Sequence, residues 1–183
     1  MSALRWAGFA VMAAFGGFTS LMLVGYTVTD VGGWKAIGLI AAVGVPLGLL
    51  CLLAWLRPSV AVPVLAVVSL APIAFGVLQL LDYGRWSDWE DQNGPVGLVL
   101  VLLVGVALAV LGLSRPAEAG ALLLAIVVVP LVLSMVGAGD QWARPLSIAL
   151  VLVPAVVSGV LFLLAALRGS AEQSSSGASR FAH

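Results

Sequence analysis

Long apolar runs, divided by short polar clusters, dominate the chain. Six of them cover residues 7–28, 34–56, 59–81, 96–113, 117–138 and 146–167. Each run holds roughly 18–23 residues, enough for a helix rising 1.5 Å per residue to cross ~30 Å of hydrocarbon. None shows the period-two alternation of a membrane barrel strand, and lone strands in lipid would leave backbone donors unmet. The pattern therefore predicts an all-α integral membrane protein. Its six transmembrane helices form three consecutive helical hairpins within residues 1–167.

The first run follows Arg5 and could be taken for a signal peptide. It is longer than an h-region of about 7–15 residues, and no small-x-small cleavage site precedes Tyr26-Thr-Val-Thr-Asp30. It reads as a retained span.

The breaks between runs have their own chemistry. Arg57-Pro58 and Arg115-Pro116 end one run and open the next. A residue before proline is pushed out of the helical region, while proline suits the first helical turn. Asn93-Gly94-Pro95 is a turn signal ahead of the fourth run. The segment 139–145 closes the last hairpin.

The polar stretch 82–95 stands apart. It carries Asp82, Arg85, Asp88, Glu90 and Asp91, five of the sixteen charged side chains, with Trp86 and Trp89 between them. It reads as an extracytoplasmic loop. Trp86, Asp88, Trp89, Glu90 and Asp91 form its candidate recognition surface, because paired tryptophans at exposed sites often anchor interfaces.

Composition agrees with the pattern. The 183 residues are 62% hydrophobic and 9% charged, against about a quarter charged in ordinary soluble domains. A soluble fold of this size could not cover that much apolar surface, so its solvent is lipid. Zero formal net charge argues against nucleic acid as a partner. The one cysteine, Cys51, has no intrachain disulfide partner and no metal-ligating neighbour in sequence.

Positive residues set the orientation. With the amino terminus inside, Arg5, Arg57, Arg115, Arg168 and Arg180 face the cytoplasm, and Lys35, Arg85 and Arg144 face out. The excess favours both termini in the cytoplasm of a bacterial inner membrane. Residues 168–183, rich in Ser and Gly, read as a disordered cytoplasmic tail.

A repeat runs beneath this plan. Arg5 precedes Asp30, Arg57 precedes Asp82 and Arg115 precedes Asp140, each by 25 positions. Pro72 and Pro130 each lie 15 positions after the arginine, and Ser20 holds that place in the first unit. Trp34, Trp86 and Trp142 follow the aspartates. A spanning helix of fixed length, inner arginines and interfacial tryptophans would generate much of this regularity unaided. The shared proline offset is the part that those rules do not require. The three-hairpin plan has the outline of the mitochondrial-type carriers. Their charged Pro-x-Asp/Glu-x-x-Lys/Arg signature is absent, so nothing carries over.

Chemistry is sparse. Every Asp, Glu, Lys and Arg falls at or beyond a predicted span end, which removes the usual basis for an intramembrane relay or voltage sensor. No catalytic signature occurs: no HExxH, no Gly-x-Ser-x-Gly, no phosphate-binding glycine loop. No cofactor is implied. Ser20, Pro46, Pro72, Pro130 and Pro154 mark helix kinks or a cavity, and Gly44-Val-Pro-Leu-Gly48 is a small-residue packing motif. The expected function is that of a non-enzymatic accessory or scaffold subunit of a membrane complex. A small permease subunit for a neutral or lipophilic solute is the alternative. Besides the lipid bilayer, the expected partner is another membrane protein or a second copy of the chain.

Overall fold

The computed structural model describes residues 3–30, 33–141 and 143–179, without the side chains of 23–30, 36, 39, 93 and 172–179. Trp142, Arg180 and His183, and the side chains of Asp30 and Glu172, therefore lie outside the described residues. All the regular structure within them is helical. In chain order the helices are α1 (Ala3–Asp30), α2 (Gly33–Leu56), α3 (Pro58–Val68), α4 (Leu70–Leu81), α5 (Tyr83–Asn93), α6 (Val96–Gly112), α7 (Pro116–Ala138) and α8 (Ala143–Ser179), with a 3-10 turn at Gly139–Gln141.

The Arg-Pro pairs act as their chemistry predicts. Arg57 and Arg115 leave the helical region at φ −136°, ψ 66° and φ −126°, ψ 70°, and Pro58 and Pro116 open α3 and α7. The third apolar run carries an interruption that its hydropathy hides. α3 gives way to α4 at Ser69, because Pro72 has no N–H to donate to the carbonyl four residues back.

Among the described residues, four helices are long and apolar enough to cross a membrane: Gly33–Leu56, Pro58–Leu81 (α3 and α4 together), Pro116–Gln141 and Ala143–Ala171. A fifth is added if Tyr83–Gln92 and Val96–Gly112, bent by 79°, count as one broken span. These apolar lengths are compatible with a membrane protein. Exposed Leu21, Leu49, Trp55, Leu70, Val136 and Leu150 leave much of the bundle's outer surface apolar, as a lipid-facing wall requires.

One expectation changes. Residues 82–95 are not an irregular loop, since α5 occupies most of them. The backbone of α8 runs helically to Ser179. No proline interrupts 168–179, and Ser170 Oγ donates to the Ala166 carbonyl at 3.1 Å within the helix.

Packing does not simply follow the hairpins. α7 lies along α8, α4 along α7, and α1 along α8 and α6, while α2 sits at the edge against α6. The core gathers Met12, Leu65, Leu108, Leu123, Ile126 and Phe162. Glycines allow the closest approaches. A methyl added at Gly76 would stand 2.6 Å from Pro130 Cα, and one at Gly137 would stand 2.6 Å from the Gln79 carbonyl oxygen. In lipid, small residues are a principal means of bringing helices close enough for dispersion to hold them. A methyl added at Gly44 or Gly48 of α2 would meet nothing within 4 Å, so no helix of this chain packs closely on that motif.

Candidate functional site

The site forms where α5 lies across the ends of α4 and α6. Asp82 breaks out of α4 with extended backbone and caps α5, its carboxylate accepting the Arg85 N–H at 3.1 Å. Gly94 ends α5 at φ +89°, a conformation that strains any side chain. Pro95 then turns the chain into α6. Both boundaries follow from residue type: an N-cap aspartate at the start, a glycine and proline at the end.

α5 turns Tyr83, Ser87 and Glu90 inward, at the i, i+4, i+7 spacing of one helical face. Its contact with the bundle is half aromatic. Trp86 meets Phe75 of α4 edge-on with ring centres 5.9 Å apart, and Trp89 lies 5.8 Å from Trp86 and 6.4 Å from Phe75. The other half is polar. Arg144 at the start of α8 forms an ion pair with Asp91 at 3.0 Å, donates a hydrogen bond to the same carboxylate at 3.2 Å, and also donates to Ser87 Oγ.

Glu90 is the centre of the site. It is only 6% exposed. One carboxylate oxygen accepts from Gln79 Nε2 at 3.1 Å and the other from the Gly97 N–H in the first turn of α6 at 2.9 Å. One side chain thus joins α4, α5 and α6. Its burial raises the carboxyl pKa above the ordinary glutamate value. The Gly97 and Gln79 hydrogen bonds and the Arg144 charge pull the other way, but the loss of water outweighs them.

Beneath Glu90 lies a cavity of about 40 Å³, bounded by Pro72, Phe75, Gln79, Glu90, Pro130 and Ser134 together with apolar side chains of α6 and α8. Glu90 is its single ionisable lining group. That volume suits a few waters, which its polar groups could hold.

The candidate residues separate on this geometry. Pro72 and Pro130, alike in repeat position, line one cavity from α4 and α7. Ser20 and Pro46 are exposed and Pro154 half-buried, and none of the three borders the cavity. Of the recognition residues, Asp88, Trp89 and Asp91 face outward, Trp86 is wedged on Phe75, and Glu90 points in. Glu90 was expected in a solvated connection. A buried carboxylate was not foreseen, nor were its partners Gln79 and Gly97. The readable signal was the helical spacing of Tyr83, Ser87 and Glu90 behind a capping Asp82. Among the described residues, no three His, Cys, Asp or Glu side chains are placed to share a metal ion.

No protein-family model, curated protein or solved structure matches the chain.

Proposed function

We propose that the chain is a six-span protein of a bacterial inner membrane, with both termini cytoplasmic, serving as a non-enzymatic accessory or scaffold subunit. α1 with its 28 residues and α6 with its 17 complete the set of spans. At 1.5 Å per residue the latter reaches about 25 Å, a few ångströms short of full thickness, with α5 lying across its outer end. The inner arginines support the orientation.

The observation that carries the reading is the size of the cavity. A bundle closed by glycine-to-backbone contacts, with about 40 Å³ of free space beside Glu90, works through its surfaces rather than through a solute path. The outward edge of α5, with Arg85, Asp88 and Trp89, is the contact surface for a membrane-protein partner. A photo-crosslinker placed at Asp88 in cells tests this. The reading expects one discrete adduct with a second membrane protein, lost on Trp89→Ala. Adducts to lipid alone, with the protein purifying by itself in mild detergent, would refute it.

A second reading, a small permease subunit for a neutral solute, draws on the convergence of Pro72 and Pro130 on one cavity. It requires that cavity to enlarge. Solute flux in vesicles that Pro72→Ala or Pro130→Ala abolishes would favour it over the first.

A further inference from the structure

We propose that α5 is a hinged lid over the Pro72–Pro130 cavity, and that protonation of Glu90 holds it shut. The inference stands apart from the accessory-subunit reading and would survive its failure.

The hinges are visible. α5 is an 11-residue helix continuous with neither neighbour. At one end Asp82 leaves the helical region at φ −153°, ψ 80°. At the other, Gly94 at φ +89° and Pro95 separate it from α6, across a bend of 79°. Between these breaks the helix can swing as a unit with few backbone torsions changed.

The lid covers something. The Glu90 carboxyl forms part of the cavity wall, with Gln79 beside it and Ser134 across from it. Swinging α5 outward withdraws that carboxyl and opens the cavity to water on the outer side. What holds α5 down is concentrated in a few side chains: Glu90 on Gln79 and Gly97, Arg144 on Asp91 and Ser87, and the Phe75–Trp86–Trp89 group.

Protonation biases the two positions through Glu90. Of the charged groups around it, Arg144 attracts the carboxylate from α8, and Asp91 repels it from α5. Tyr83, Arg85 and Asp88 share its helix, and Asp82 caps that helix from the end of α4. α6 carries no charged residue, and α7 contributes the neutral Ser134. Shut, the carboxyl is cut off from water and holds its proton more tightly than it does when swung out. Low pH therefore favours the closed lid. As pH rises through the closed-state pKa, ionisation shifts the balance toward opening. The ionised carboxylate still has two donors, so opening is graded rather than abrupt.

The test uses the full chain in lipid nanodiscs, with Cys51→Ala removing the native thiol. Ser134→Cys reports from the buried cavity wall and Asp88→Cys from the exposed face, each labelled with a bulky thiol reagent. Dividing the first rate by the second cancels the intrinsic pH dependence of thiol reactivity. That ratio is expected to rise at least about tenfold between about pH 5 and pH 8, and to stay low and flat when Glu90→Gln is added. A ratio that ignores pH, or that rises equally with Glu90→Gln, overturns the proposal. The unaltered protein supplies a check that does not depend on any variant folding. Hydrogen exchange at the Gly97 amide, which donates to the Glu90 carboxylate and is freed when α5 swings out, should lose protection as pH rises once corrected for intrinsic exchange chemistry. Equal protection at both pH values would overturn the proposal as well.

Discussion

Gln79 donates its side-chain amide to Glu90 at 3.1 Å, across the break between α4 and α5 and out of contact with bulk water. The pair makes the outer helix part of the bundle rather than a loose connection. Breaking it from either side leaves a buried polar group without its partner, and that asymmetry governs the first prediction.

Glu90→Ala removes the acceptor from two donors, Gln79 Nε2 and the Gly97 N–H. Each orphaned buried group costs about 1–3 kcal/mol, so a drop of at least that size is expected in unfolding measured in detergent or nanodiscs. Glu90→Gln should cost less than about 1 kcal/mol, since its amide oxygen still serves Gly97 and Gln79 can rotate to accept from the new amide. Equal losses from the two variants would show that the hydrogen bonds carry no weight.

Stability should also depend on pH through the same carboxyl. Burial raises its pKa in the folded chain above the ordinary value of 4.5. The folded form thus binds the proton more tightly than the unfolded form does. Its contribution is fully present below pH 4.5 and is lost as pH rises through the higher folded value. The difference in thermal midpoint between native protein and Glu90→Gln should shift steadily against the native protein over that rise. A constant difference, or one with the opposite slope, contradicts the burial of an ionisable Glu90.

The starts of α3 and α7 were legible in the sequence because Arg-Pro dictates them locally, while the break at Ser69 lay hidden in a continuous apolar run. The pairing of helices was not legible. A helix in lipid is apolar on its packed and lipid faces alike, so hydropathy does not reveal which side of α4 meets α7. That information resides in Gly76 and Gly137, and nothing in local sequence separates them from Gly44 and Gly48, where an added methyl would meet nothing within 4 Å. α5 was missed for a related reason. Two of the three residues on its inward face, Ser87 and Glu90, are polar, and a polar inward face defeats a reading that equates burial with hydrophobicity.

Those glycines yield the third prediction. Gly76→Ala and Gly137→Ala place a methyl 2.6 Å from backbone atoms of the facing helix, where no flexible side chain can move aside. Overpacking of this kind costs about 1–3 kcal/mol and should separate α4 from α7, lowering the unfolding midpoint and the folded yield. Gly44→Ala and Gly48→Ala should be neutral, or stabilising by up to about 1 kcal/mol through helix propensity. If the α2 variants are the damaging ones, that face is covered by a partner in the membrane.

The fourth prediction separates two contacts of one arginine. Arg144 pairs with Asp91, whose side chain is 65% exposed, and with the buried Ser87. An exposed ion pair yields about 0–1 kcal/mol and is screened by salt. Asp91→Asn should therefore change little, and that small effect should fade at high ionic strength. Arg144→Ala removes both contacts, together with the positive charge that helps to hold Glu90 ionised. It should destabilise the docking of α5 more than Asp91→Asn does, and raise the Glu90 pKa further. A double-mutant cycle between Arg144 and Asp91 measures the exposed pair alone. The loss left in Arg144→Ala after that coupling is subtracted belongs to Ser87 and Glu90. If nothing is left, the start of α8 does not hold α5 in place, and Gln79, Gly97 and the aromatic cluster bear the whole attachment.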